Sequence, residues 1–107
     1  MDSLARITGW GHHNAGLKFK DKLERSRNAT YVFPHVRQTI EDAWRRAGVG
    51  GIGQISGVET HDCFTVAELI EYEAMGLTPR GQGARAIKEG WTQKDGKLPV
   101  NPSGGLK

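Results

Sequence analysis

The segment at residues 55–66 restricts the possible folds more than any other part of this chain. Residues 55–60 predict a short strand, and the polar run at residues 61–63 separates it directly from a predicted helix. That helix has Thr65 as a favourable N-cap, and Glu68 completes a capping box three residues later. A strand that leads straight into a helix is typical of α/β folds, where ligands meet side chains and free backbone N–H groups at this edge.

The remaining pattern alternates extended and helical segments. Further strands are predicted at residues 4–10 and 98–101, and helices are predicted from Pro34 to Gly48, from Thr65 to Gly76 and, more weakly, at residues 81–89. Residues 17–30 are mostly polar and predict a surface excursion with one helical turn. This order of elements predicts an α/β fold in which helices cover a mixed sheet.

Composition narrows the functional classes. A chain of 107 residues forms one domain at most. No apolar run approaches the roughly 20 residues of a membrane span, and the N-terminus shows no signal-peptide pattern, so we expect a cytoplasmic protein without a membrane partner. The single cysteine excludes an internal disulfide framework. The net charge is +3, but the basic residues are spread along the chain, so we expect no nucleic-acid partner.

Four residues are candidates for metal ligands or catalytic groups. His12 and His13 are adjacent, so their side chains point in different directions, and no second ligand pair is spaced to complete a site. We therefore predict a solvated loop there and no bound metal. His61 and Cys63 are the better candidates for chemistry, and the alternatives for them are a structural histidine and a buried, inert thiol.

Two short motifs and the sequence between them resemble a known enzyme family. Residues 61–64, His-Asp-Cys-Phe, resemble the HDCF fingerprint of thiolases of the sterol-carrier-protein type, a family that includes acetyl-CoA acetyltransferases. Residues 100–107 resemble the VNPSGGL segment of that family, and residues 68–77 resemble the helix between the motifs. Upstream, residues 5–11 and 31–34 are similar to the preceding strand and helix entry. The resemblance thus runs over almost the whole chain.

The resemblance implies a fold, a reaction and a set of site residues. Residues 1–107 are expected to form a partial C-terminal thiolase-like domain, truncated at both ends. In the family, the HDCF histidine helps to form an oxyanion hole and the cysteine acts as acid and base, so these catalytic roles fall to His61 and Cys63. Asp62 is expected to orient the turn, and Phe64 to anchor it in the core. The substrate-binding loop is expected to include Asn101, Ser103, Gly104 and Gly105.

Departures from the family pattern limit what this chain is expected to do alone. It lacks the acyl-accepting cysteine and the Gly-His-Pro histidine of a complete thiolase, so whether it is an enzyme by itself stays open. The resemblance implies a fragment of an acetyl-CoA acetyltransferase-like enzyme that acts on acyl-CoA thioesters through an oxyanion-stabilised enolate. Coenzyme A would enter as part of the substrate, with no tightly bound cofactor. The expected partner is the remainder of a thiolase subunit or a second copy in a homo-oligomer.

Two alternatives to an acyltransferase fragment remain. The first is a lipid-transfer-type thiolase homologue that acts as a retro-aldolase on steroid side chains, because one fold can host either reaction. The second is a non-catalytic binding or assembly subunit.

Overall fold

The computed structural model describes residues 4–106, which fold into helices joined by extended segments. The helices within this range are α1 (Phe19–Arg27), α2 (Pro34–Ala47), a short 3₁₀ helix (Ile52–Gln54), α3 (Thr65–Met75) and α4 (Gly83–Lys88). Helix α1 is nine residues long and therefore exceeds the single turn predicted for residues 17–30. No helix among residues 4–106 is long and apolar enough to cross a bilayer.

Proline and glycine set the ends of the two long helices, as predicted. Pro34 occupies the first turn of α2, where its missing N–H costs no intrahelical hydrogen bond. Gly48 ends α2 with φ 72° and Gly76 ends α3 with φ 83°. Both angles lie in the left-handed region, which glycine adopts without a steric penalty.

Helix α3 packs against both α2 and α4 and contributes more buried residues than any other helix. The core consists of Tyr72, Met75, Leu77, Ala86 and Leu98. Helix α2 reaches this core through Ile40, and its Arg37 donates to the carbonyl oxygen of Ala74 at 3.1 Å. A cation at the carboxyl end of α3 also complements the dipole of that helix.

Helix α4 packs directly on α3 because a glycine stands at the contact. A Cβ atom at Gly83 would lie 2.3 Å from the carbonyl oxygen of Leu69, closer than side-chain atoms approach backbone. The N–H of Gly83 donates to a carboxylate oxygen of Glu73 at 3.1 Å. Glu73 is buried, and this bond supplies the polar partner that a buried carboxylate requires.

The three predicted strands do not form a sheet. Within the described residues, the only strand-like pairing is one parallel bridge between Val58 and Val100. The N–H of Val58 donates to the carbonyl of Pro99 at 2.9 Å, and the N–H of Asn101 donates to the carbonyl of Val58 at 2.8 Å. The mixed sheet of the predicted α/β fold is therefore not confirmed.

The conformation of Asn101 explains why the ladder stops after one pair. Asn101 has φ 51°, a left-handed conformation that turns the chain away from extended geometry. Its side-chain oxygen accepts the N–H of Thr60 at 2.7 Å, so a side chain replaces the backbone carbonyl that a ladder would use.

The predicted strand at residues 4–10 is extended but unpaired, and its end lies against α2. A Cβ atom at Gly9 would come within 2.2 Å of the carbonyl oxygen of Ala43, and one at Gly11 within 2.0 Å of that of Thr39. These glycines let the backbone approach the helix.

A polar contact fastens the same segment to α2 a few residues further on. His13 Nε2 lies 2.8 Å from a carboxylate oxygen of Asp42. Together with a hydrogen bond from Arg45, this contact lowers the pKa of Asp42 to about 2. Residues 12 and 13 lie in an exposed loop, as predicted, and within that loop His13 pairs with a carboxylate.

Candidate functional site

The HDCF motif occupies the short connection between the parallel bridge and α3. Thr65 is the first helical residue, and Phe64 stands at the N-cap without a side-chain cap hydrogen bond. The predicted capping box is therefore wrong. Glu68, which would have reached back to the cap, instead accepts the hydroxyl of Tyr72 one turn further along the helix. A buried phenol requires such a partner, and this requirement outweighs the gain from capping.

The side chains of the motif face outward. Phe64 is 72% exposed, so the prediction that it anchors the turn in the core is wrong. Phe64 is not among the residues that form or pack against the core. Cys63 is exposed as well, which excludes the alternative of a buried thiol. His61 is also exposed, and both residues can therefore contact a ligand that approaches this surface.

Asp62 joins the motif to the carboxyl-terminal loop. One of its carboxylate oxygens accepts the N–H of Leu106 at 2.7 Å. A Cβ atom at Gly105 would lie 2.2 Å from the other carboxylate oxygen, and Gly105 has φ 73°. Space and backbone conformation therefore both require glycine at this position.

A second carboxylate strengthens the same contact. Ser103 donates to Glu59 twice, from its backbone N–H at 3.1 Å and from its hydroxyl at 2.8 Å. With the Asn101–Thr60 bond, three side chains hold the loop at residues 101–106 along residues 59–62. The Nδ2 atom of Asn101 is buried and has no hydrogen-bond partner among the described residues.

The structure brings together only part of the predicted site. An open depression of about 360 Å³ lies between the two segments, and His61 and Gly105 both line it. Asn101 and Ser103 lie behind this depression, where their hydrogen bonds hold the loop. Neither Cys63 nor Gly104 lines it, so the two predicted catalytic side chains do not share this depression.

A second pocket adjoins His61 on its other side. It measures about 350 Å³, and its wall is largely apolar, with Ile40, Trp44 and Val58 among its residues. Glu71 stands at the polar end of this pocket and accepts the hydroxyl of Thr60. Burial raises the pKa of Glu71, and the hydrogen bond from Thr60 and the nearby His61 oppose that shift.

Sequence analysis missed Glu71. One signal was present, because Glu68 and Glu71 are three residues apart and therefore lie on the same face of α3. Like charges at that spacing destabilise a helix unless each finds a partner, and here Tyr72 and Thr60 supply those partners.

The prediction that this chain binds no metal stays a prediction. Among residues 4–106, no group of three or more histidine, cysteine, aspartate or glutamate side chains converges as metal ligands would.

Known proteins share both the motifs and the sequence around them. A family model described as Thiolase C-terminal domain-like matches residues 18–107. An acetyl-CoA acetyltransferase of Methanothermobacter thermautotrophicus is 49% identical over 55 residues, which are 51% of this chain and 14% of that protein. Sterol carrier protein 2 of Bos taurus is 52% identical over 52 residues, 49% of this chain and 10% of that protein.

A nematode relative matches a longer stretch. Non-specific lipid-transfer protein-like 2 of Caenorhabditis elegans is 51% identical over 83 residues, which are 78% of this chain and 20% of that protein. In all three comparisons the matched region is a fifth or less of the relative's length.

Proposed function

Since this chain belongs to the thiolase family and matches part of its C-terminal domain, we propose that it contributes the enolate-stabilising part of an acyltransferase site for acyl-CoA thioesters. The proposal concerns this part of the site only. The acyl acceptor and the activity of a whole enzyme would come from the remainder of a thiolase subunit or from a second copy.

The closure of the loop at residues 101–106 over residues 59–62 supports the proposal most directly. The two segments are separated by about forty residues in sequence, and they meet through the hydrogen bonds of Asp62 and Glu59. Side-chain acceptors that hold backbone N–H groups fix both segments before a ligand binds. Electrostatic stabilisation of a transition state requires groups that are already fixed in position before the reaction begins.

His61 and Cys63 have chemically distinct roles in this proposal. Removal of a proton next to a thioester carbonyl leaves an enolate whose negative charge rests on the oxygen. The imidazole of His61 would donate a hydrogen bond to that oxygen. The thiolate of Cys63 would accept the proton, and after the new carbon–carbon bond has formed the resulting thiol would give it to the departing thiolate of the acyl-bearing cysteine, which lies outside this chain in the proposal. Both side chains are exposed, as a group that must meet a substrate has to be.

The chain holds a single cysteine, and this limits its role. A thiolase transfers its acyl group through a covalent thioester to one cysteine while a second group moves protons. Cys63 cannot perform both roles in one site. We therefore propose that the chain by itself does not turn over substrate. We further propose that its ligand is a coenzyme A thioester, and that it works in the cytoplasm without a tightly bound cofactor.

The test replaces the matching segment of a full-length homologue with this chain. We expect no thiolysis of acetoacetyl-CoA above background by the chain alone and restored thiolysis by the chimera. In the chimera, Cys63→Ala should lower the rate by roughly 10²–10⁴-fold, as for a lost acid and base. His61→Ala should lower it by roughly 10²–10³-fold, as for a lost oxyanion donor.

The same chimera serves for the control and for the results that would contradict the proposal. Ser103→Ala is the matched control for loop closure, because the backbone N–H of Ser103 still donates to Glu59. If Cys63→Ala and His61→Ala both leave the rate within a factor of about two, far from the effects expected of such groups, the proposed roles are wrong. A well-folded chimera without turnover would favour a binding or assembly subunit.

A retro-aldolase is the second candidate function. The matches to sterol carrier protein 2 and to a lipid-transfer protein-like relative favour it, since those names denote lipid ligands. This candidate requires the same oxyanion donor but a different substrate. It predicts that the chimera cleaves a β-hydroxyacyl-CoA faster than acetoacetyl-CoA, whereas an acyltransferase shows the opposite preference.

A further inference from the structure

A separate cavity lies between α1, the start of α2 and the loop before α1. Its volume is about 420 Å³, and none of its lining residues belongs to the thiolase-like site. Its wall is mostly apolar and includes Phe19, Leu23, Val32, Phe33 and Pro34. Phe19 and Leu23 are four residues apart on α1 and therefore share one face of that helix.

The position of α1 indicates that this wall does not serve the core. No residue of α1 is buried, and Phe19 and Leu23 are 73% and 46% exposed. The helix is nevertheless tied to α2, because Arg25 donates to the side-chain oxygen of Gln38 at 2.8 Å. An apolar helix face that is held in place but left uncovered has the character of a binding surface.

Charged groups surround the apolar wall, and most of them are basic. Lys22, Arg25 and His35 line the cavity together with the single acid Asp21. Burial lowers the pKa of His35, and the charges of Arg25 and Lys22 lower it further. The field of the two cations therefore extends to the start of α2. With His35 neutral, the two cations and Asp21 leave one positive charge uncompensated.

We propose that this cavity binds a medium-chain fatty carboxylate, with its hydrocarbon chain against Phe19, Leu23 and Phe33 and its carboxylate near Lys22 and Arg25. Apolar walls favour a hydrocarbon chain because its burial removes both surfaces from water. One uncompensated positive charge matches a monoanion, and a guanidinium can bind both oxygens of a carboxylate. A neutral hydrocarbon would leave the charge unmatched, and an inorganic anion would leave the apolar wall in water. This proposal does not depend on the thiolase-like site.

The first measurement is a titration of the full chain with octanoate, followed by calorimetry and by amide NMR shifts around His35. We expect saturable binding with a Kd of roughly 0.1–1 mM, as for a ligand of about ten heavy atoms. Each added methylene from butyrate to octanoate should tighten binding by roughly threefold to fourfold. Octan-1-ol, with the same chain and no charge, should bind several-fold more weakly.

Substitutions separate the charge from the apolar wall. Lys22→Gln should weaken octanoate binding by roughly twofold to fivefold, because one rim charge is lost, and should leave octan-1-ol unaffected. Leu23→Gln should weaken both ligands. The matched control is Lys20→Gln on the same helix, since Lys20 pairs with Glu24 and does not line the cavity.

Three results would overturn the proposal. The first is no saturation by octanoate at about 10 mM, beyond the range expected for such a ligand. The second is equal affinity for octanoate and octan-1-ol. The third is an equal loss of octanoate binding in Lys20→Gln and in Lys22→Gln, which would indicate a general effect of net charge.

Discussion

At the scale of single residues, carboxylates hold the candidate site in place through hydrogen bonds more than His61 and Cys63 do. Asp62 and Glu59 hold the carboxyl-terminal loop through backbone N–H groups and the hydroxyl of Ser103. Glu71 lies beside His61 in a partly apolar pocket and accepts the hydroxyl of Thr60. A hydrogen bond offsets part of the cost of burying a carboxylate, and the remainder appears as a raised pKa of Glu71.

The first prediction concerns the pH dependence of stability through Glu71. Because its pKa is raised in the folded state, the folded protein binds the proton more tightly than the unfolded chain. The contribution of Glu71 to stability is therefore greatest below the pKa of the unfolded chain and is lost as pH rises through the folded pKa. Glu71→Gln should raise the thermal midpoint at pH 7, and this gain should shrink as the pH falls through the folded pKa and level off below the unfolded pKa.

Thermal unfolding followed by circular dichroism from pH 3.5 to 7.5 would measure this effect. Asp95→Asn, which removes an exposed carboxylate from a turn, is the matched control and should show no such trend. A midpoint for Glu71→Gln that is lower than that of the unsubstituted chain at pH 7 would contradict the prediction, because it would mean that the ionised carboxylate stabilises the fold.

At the scale of elements, the fold rests on two contacts made by α3. On one side, Arg37 of α2 binds the carbonyl of Ala74 near the end of α3. On the other side, α4 comes close enough for Gly83 to face the backbone of Leu69. The buried carboxylate of Glu73 accepts a hydrogen bond from the N–H of Gly83. The hydrogen bonding of Glu73 and the close packing of α4 on α3 therefore both depend on this glycine. The contact between α4 and α3 therefore leaves no room for an added atom at Gly83.

The second prediction tests this contact. Gly83→Ala places a methyl group 2.3 Å from a backbone carbonyl oxygen, and neither helix backbone can yield cheaply. We expect a loss of about 1–3 kcal/mol in the free energy of unfolding, as for overpacking, even though alanine favours helix. Urea denaturation measures it. Gly53→Ala, where the added methyl has open space, should change stability by less than about 0.5 kcal/mol; equal effects of the two substitutions would refute the packing argument.

At the scale of the whole molecule, the described residues are less compact than their number allows. The radius of gyration is 14.6 Å, against about 13 Å for a typical domain of this size. The described residues have one small core, while Leu4 and Ile7 are 83% and 87% exposed in the segment that precedes α1. Apolar side chains that are left outside the core favour contacts between molecules.

The third prediction is that the chain self-associates in solution. Exposed apolar surface should produce oligomers whose size rises with protein concentration, measured by sedimentation velocity. Leu4→Ser with Ile7→Ser should reduce association, whereas Thr8→Ser in the same segment should not. A monodisperse monomer with a sharp two-state thermal transition at high concentration would contradict the prediction.

Local signals in the sequence determined the helices and the family. Pro34, Gly48 and Gly76 mark helix ends through their own backbone preferences, which need no partner elsewhere in the chain. The family could be recognised from the HDCF and NPSGG motifs because they are contiguous, and the family model confirms it.

Only the tertiary structure decided the pairing, exposure and contacts of residues that depend on a distant partner. A strand exists only through hydrogen bonds to a neighbour, and the left-handed Asn101 ends the one available ladder after a single pair. The exposure of Phe64 depends on which distant segments pack into the core, and Phe64 lies outside that core. The meeting of Asp62 with Gly105 depends on forty residues folding between them, and no local pattern encodes that distance.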